Sequence, residues 1–163
     1  MKPRTSEQIA IGWREWVHLP ELGDFSVKAK IDTGARSSSL HAVSLKYLTS
    51  DGKKRLRFAV HPLQRSAKET YWAEADILEF REIRSSNGHI SRRPVIVTEL
   101  QMGELRWPIE LTLANRDEMG FRMLLGREAL RGRCLIDPGK SFYLGQPVAR
   151  KHKKTSRKKR RPS

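Results

Sequence analysis

Between Phe25 and Ile31 the chain alternates apolar and polar side chains, the period-2 pattern of a strand with one buried face, and it runs straight into Asp32-Thr33-Gly34. The same alternation recurs at Leu105, Trp107, Ile109, Leu111 and Leu113, and Val95 to Met102 precedes it across Gly103, which predicts a hairpin. Trp13, Trp16 and Val17 mark an earlier short strand. Ser37 to Leu45 and Leu56 to Val60 read as two more, linked through a turn at Asp51-Gly52. After a polar loop over His61 to Thr70, Tyr71 to Ile83 reads as one long strand. Ser85-Ser86-Asn87-Gly88 then supplies a hairpin turn, because Asn-Gly tolerates the positive φ that such turns require. Only Arg127 to Arg131 reads as a short helix, with Gly132 placed to cap its C-terminus. No solenoid repeat or heptad pattern interrupts this reading. The expected fold class is all-β with one short helix.

Composition adds boundaries. A chain of 163 residues with 37% apolar content suits a single compact domain, expected over residues 11–146, with an N-terminal extension over 1–10. The formal net charge is +15, and nine of the 33 Lys and Arg fall in residues 150–163 without an acid, leaving +6 for the rest. Residues 147–163 therefore read as a basic tail with nothing to bury, expected to be disordered in isolation. Two readings of the tail stand side by side: a solubilising extension, or electrostatic attachment to RNA or the ribosome. No apolar run approaches the roughly 20 residues that cross a bilayer, so no membrane partner is expected. Cys134 is the single cysteine and the first residues lack a signal-peptide core, which predicts a cytoplasmic protein.

The chemistry concentrates at Asp32-Thr33-Gly34-Ala35 and, ninety-two residues after Asp32, at Leu124-Leu125-Gly126-Arg127. A carboxylate at a strand-to-turn junction by itself reads as an ordinary backbone cap. An apolar pair followed by glycine adds a second strand on which such a turn could rest. These two segments resemble the active-site signature and supporting loop of retropepsin-type aspartic proteases. From Ile11 to Gln146 the chain is similar to the bacterial retropepsin-like aspartic endopeptidase family historically labelled ATP-dependent zinc protease and associated with a ribosomal-protein glutamate ligase. The resemblance implies an acid-protease β-barrel, Asp32 as the catalyst and endopeptidase cleavage of a peptide or protein substrate.

Hydrolysing a peptide without a metal requires a base to activate water and an acid to protonate the leaving nitrogen. Two adjacent carboxyl groups that share one proton supply both. One Asp32 per chain is half of that pair, so a homodimer with its twofold axis between two copies of Asp32 is expected. In this reading Thr33 bonds across the junction, Gly34 lets the backbone approach the carboxylate, and Leu124 and Leu125 pack beneath the turn while Gly126 permits close passage. The Tyr71 to Val97 region, including the Asn87-Gly88 turn, is expected to form a flap over the peptide.

Two departures from the family pattern stand out. Arg36-Ser37 replaces the acidic pair that receives the arginine after the second glycine motif, so Arg127 needs another acidic or carbonyl partner. Ala35 lacks a hydroxyl that would stabilise the ionised carboxylate, which predicts a working pH nearer neutral than that of gastric enzymes.

Other chemistries find less. Histidines at 18, 41, 61, 89 and 152 are scattered with no zinc spacing, so no metal and no cofactor are expected; His41, just past the turn, is the strongest ligand candidate. Gly139-Lys140-Ser141 has Cys134 where a phosphate loop needs its first glycine, and no helix follows. Leu135 to Ser141 echoes Lys30 to Arg36 in outline, although Asp137-Pro138-Gly139 is an ordinary turn sequence. A noncatalytic peptide- or ribosome-binding adaptor on the same fold is the alternative to the enzyme.

Overall fold

The computed structural model describes residues 8–63, 68–85, 87–115 and 120–147. The basic segment from 148 onward and residues 1–7 lie outside the described residues. Twelve strands are described: β1 (Ile9–Ile11), β2 (Arg14–Leu19), β3 (Phe25–Ile31), β4 (Ser38–His41), β5 (Val43–Ser50), β6 (Lys53–Val60), β7 (Tyr71–Asp76), β8 (Glu79–Arg84), β9 (Ile90–Met102), β10 (Leu105–Ala114), β11 (Met123–Leu125) and β12 (Cys134–Ile136). Among the described residues one α-helix, α1, spans Arg127–Leu130, and Pro20–Leu22 form a short 3-10 helix.

The strands β10, β4, β11, β3, β2 and β9 follow one another, and β9 pairs back to β10, closing a six-stranded barrel. The alternation in β2 and β3 has its expected consequence. Val17, Leu19, Phe25, Val27 and Ala29 point inward and are buried, while Trp16, His18 and Lys28 stay partly exposed. Leu40, Ile96, Leu100, Leu111, Met123 and Leu125 complete the interior. A separate sheet, β5-β6-β7, contributes Leu56, Phe58 and Val60 to the same core.

Several expected elements are divided differently. The stretch Tyr71 to Ile83 forms two strands in different sheets rather than one. Ile77 N donates to Lys54 O at 3.1 Å and Leu78 N donates to Val95 O at 2.8 Å, so the chain transfers from one ladder to the other at that dipeptide. Ser37 to Leu45 likewise splits into β4 and the start of β5, with Ser44 at φ 56 beside a register shift between Val43 and Lys46. Ile9–Ile11, mostly within the expected N-terminal extension, is a strand paired in parallel with β12. The hairpin turns at Asp51-Gly52, Asn87-Gly88 and Gly103 fall where expected, with Gly88 at φ 87.

Candidate active site

Asp32 sits at the end of β3, where the strand lies parallel to β11 with Leu125 opposite Ile31. Its N–H donates to Leu125 O at 2.9 Å, so the last ladder bond reaches the aspartate itself. The chain then turns at once. Gly34 N donates to Asp32 Oδ1 at 3.1 Å and Ala35 N to Asp32 O at 3.1 Å, an Asx turn that fixes the carboxylate against its own loop. Asp32 is half-buried, and its second oxygen has no hydrogen-bond partner among the described residues.

The supporting loop grips this turn from the far side. Arg127 N donates to Ala35 O at 2.8 Å and Glu128 N to Arg36 O at 3.1 Å. Gly126 is required here sterically, since a Cβ would stand 2.5 Å from Ser37 O and 2.9 Å from Ala35 O. Arg127 finds its partners in carbonyls: Nη1 donates to Thr33 O at 3.0 Å and to Gly34 O at 3.3 Å. The Arg36 side chain is exposed and reaches Glu128 only at 3.9 Å, a contact worth little in solvent. Thr33 is exposed, and its hydroxyl has no partner among the described residues.

Leu124 and Leu125 do not both lie beneath the turn. Strand alternation sends Leu125 into the core and Leu124 into the groove. Three further residues hold the site and were not singled out for this role from sequence. Buried Ser38 accepts from Gly126 N at 2.9 Å, Thr112 Oγ1 donates to Ser38 O at 3.2 Å, and Trp107 Nε1 donates to Ala129 O at 2.9 Å beneath α1. The Ser37-Ser38-Ser39 run was the only local signal for the first of these.

Asp32 opens onto a groove of about 1380 Å³. It is lined by the Asp32 turn and α1, by residues 108–110 and Thr112 of β10, by residues 81–84 of β8 with Ser85, and by Arg93 and Val97 of β9. Of Tyr71 to Val97 only the β8–β9 hairpin lines the groove, since β7 belongs to the other sheet. Arg81 ties the hairpin to the barrel wall by bonding both Glu79 and Glu110, the latter at 3.0 Å. Glu79's hydrogen bond is the largest influence raising its guanidinium pKa, with burial opposing.

A carboxylate held in this way on a strand-parallel turn, with a hydrophobic-hydrophobic-Gly strand beneath it, matches a known family model. Residues 10–147 match the family described as retropepsin-like aspartic endopeptidase RimB. The chain belongs to this family. Among relatives, it is 45% identical over 142 residues to a Shewanella halifaxensis protein named "Probable alpha-L-glutamate ligase", covering 87% of this chain and 31% of that one. A Parasynechococcus marenigrum protein of the same name is 46% identical over 140 residues, covering 86% and 30%. The chain thus spans less than a third of the length of these relatives. A solved structure of Lpg0085, a protein of unknown function from Legionella pneumophila, superposes with a TM-score of 0.69 at 29% identity, covering 84% of this chain and 98% of that one.

Among the described residues no three His, Cys, Asp or Glu side chains gather where they could hold a metal ion. His41 is buried within β4. Cys134 is buried too, and desolvation pushes its thiol up to about 11.

The echo at Asp137 is real in structure. Asp137 N donates to Ile11 O at 2.8 Å, Gly139 N to Asp137 Oδ1 at 3.0 Å, Lys140 N to Asp137 O at 3.1 Å and Trp13 N to Lys140 O at 2.8 Å. These bonds repeat those of Asp32 one for one, with β12 in place of β3 and β1-Gly12 in place of β11-Gly126. A Cβ on Gly12 would stand 2.2 Å from Lys140 O. Asp137, however, does not line the groove.

Proposed function

We propose that the chain is an aspartic endopeptidase whose active site forms when two copies bring their Asp32 turns together. The observation that carries this reading is the locked Asp32 turn at the groove floor, with one carboxylate oxygen left unengaged. In the dimer one carboxylate would take a proton from water as it attacks the scissile carbonyl. The other would protonate the leaving nitrogen. The exposed Thr33 hydroxyl is available to bond across the twofold axis. An extended peptide would lie between the β8–β9 hairpin and β10, with side chains alternating into the groove.

The substrate class follows from two further supports. Arg84 lines the groove and makes no ion pair among the described residues, and a carboxylate-bearing peptide would supply its counter-charge. Relatives that contain this domain within a longer chain are named for glutamate ligation, which supports peptides bearing added glutamates as the substrate. Glu82 and Glu128 line other parts of the groove, so acceptance would depend on position along it.

The test is cleavage of extended peptides with and without a run of glutamates, monitored by mass spectrometry alongside sedimentation. Wild type should cleave as a dimer and prefer the glutamate-bearing peptide, and Asp32→Asn should dimerise yet not cleave. Undiminished cleavage by Asp32→Asn defeats the mechanism. A dimer that binds the peptide but never cleaves it assigns the adaptor role instead.

A further inference from the structure

Along β2 the chain builds a surface of interleaved rings and cations. Trp16 stacks with Phe142 at 6.2 Å between centroids, and Trp13 meets Phe121 edge-on at 6.2 Å. Arg14 lies 4.7 Å from the ring centroids of both Trp13 and Phe142. Lys28 sits over Trp16 at 5.6 Å and Lys140 over Tyr143 at 5.8 Å. None of these three cations makes an ion pair among the described residues. They rest on aromatic faces, which leaves their charge uncancelled.

The surface is held in shape at some cost. Glu15 is fully buried, and its carboxylate accepts from Gly12 N at 2.6 Å, Tyr143 N at 2.9 Å and Leu144 N at 3.1 Å. Phe142 N donates to Arg14 O at 2.9 Å, and Arg14 Nε donates to Ser141 Oγ at 2.9 Å. Phe142 adopts φ 51, a left-handed conformation that bulky residues avoid. Such an outlier persists where the surroundings over-determine it, and it marks a place where geometry serves a role. Tyr143 is left 52% exposed. None of these residues lines the Asp32 groove.

We propose that Trp13, Arg14, Trp16, Lys28, Lys140 and Tyr143 form a binding surface for single-stranded nucleic acid, separate from the peptide groove. Interleaved cations and rings suit a flexible polyanion whose bases can stack, the combination by which single strands are bound without sequence reading. Charge points the same way. The three unpaired cations suit a polyanion, and nine more Lys and Arg follow in the sequence between residues 150 and 161. An acidic peptide would meet the cations but has no use for the rings.

The experiment uses the full chain and a fluorescein-labelled oligouridylate of about 12 nucleotides, a length within the range of single-strand sites. Anisotropy is followed across a salt series, with a poly-glutamate peptide as competitor. Three results are expected. Arg14→Gln/Lys28→Gln/Lys140→Gln weakens binding at least tenfold and makes the plot of log K against log salt shallower by roughly 2. Tyr143→Ala weakens binding about five- to hundredfold without changing that slope. Oligouridylate also quenches wild-type tryptophan fluorescence more than poly-glutamate does. Circular dichroism confirms that each variant is folded, and peptide cleavage by the triple variant stays near wild type. Wild-type affinity in the triple variant overturns the proposal by leaving the basic tail as the whole site. Equal displacement by poly-glutamate also overturns it. So does a triple variant that turns from dimer to monomer with oligouridylate affinity unchanged, because the surface is then a subunit contact.

Discussion

Arg127 Nη1 donates to the main-chain carbonyl of Thr33 at 3.0 Å, so the supporting loop holds the active turn through its backbone. No acidic residue next to the turn is needed for this, which resolves how Arg36-Ser37 can stand there. Because the bond goes to carbonyls that any sequence would supply, geometry rather than charge pairing is what Arg127 contributes. Arg127→Ala should let the turn relax and misplace Asp32, lowering kcat about a hundredfold in steady-state peptide cleavage with a much smaller change in KM. Arg127→Lys keeps the charge but reaches one carbonyl at most, so partial recovery is expected.

The duplicated turns make opposite predictions for two aspartates. Asp32→Asn preserves the Asx-turn acceptor but would remove the proton that the proposed dimer shares, so cleavage should fall by several orders of magnitude with the thermal midpoint nearly unchanged. Asp137→Asn preserves the same acceptor in the other turn, and because Asp137 does not line the groove, kcat/KM should stay within about twofold of wild type. A large loss in the second variant would mean that Asp137 takes part in the chemistry.

How far the chain could be read without coordinates follows from the range of each signal. Asp32, Gly34, Gly126 and the helix after it were legible because each rests on a motif a few residues long. The Phe25 to Ile31 and Leu105 to Leu113 strands were legible because half-buried strands carry a period of two. The sheet change at Ile77-Leu78 was not, since the alternation runs on through the point where the hydrogen-bonding partner switches from Lys54 to Val95. Strand β1 was missed because three residues carry no period and its partner, β12, lies more than a hundred residues away. Glu15 gave no sign of burial, because a charged residue is expected at the surface and its partners are amides at Gly12, Tyr143 and Leu144. Ser38 reads as one more polar position of a strand from Ser37 to Leu45, and only the approach of β11 turns it into the acceptor for Gly126.

Cys134 supplies a pH dependence with a definite sign. Burial raises its thiol from the ordinary 9.0 to about 11, so the folded chain keeps a proton that the unfolded chain gives up first. Stability from this group is complete below about pH 9 and is lost as pH rises toward 11, a change on the order of 2 to 3 kcal/mol. Urea unfolding of wild type and Cys134→Ala across that window should show the wild-type stability falling more steeply. The folded thiol should also resist alkylation at pH 8.

Thr98 marks a position where the core can be improved. Its hydroxyl is buried in β9 with no hydrogen-bond partner among the described residues, so folding strips water from an oxygen and returns nothing. Valine has nearly the same shape and replaces that oxygen with a methyl group suited to the apolar interior. Thr98→Val should therefore raise the unfolding free energy by about 1 kcal/mol, read as a higher urea midpoint with an unchanged m-value. Its neighbour Val97 faces the groove while Thr98 faces inward, so peptide cleavage should be unaffected. A lower midpoint would show that the hydroxyl is satisfied in solution, by a bound water that the substitution evicts.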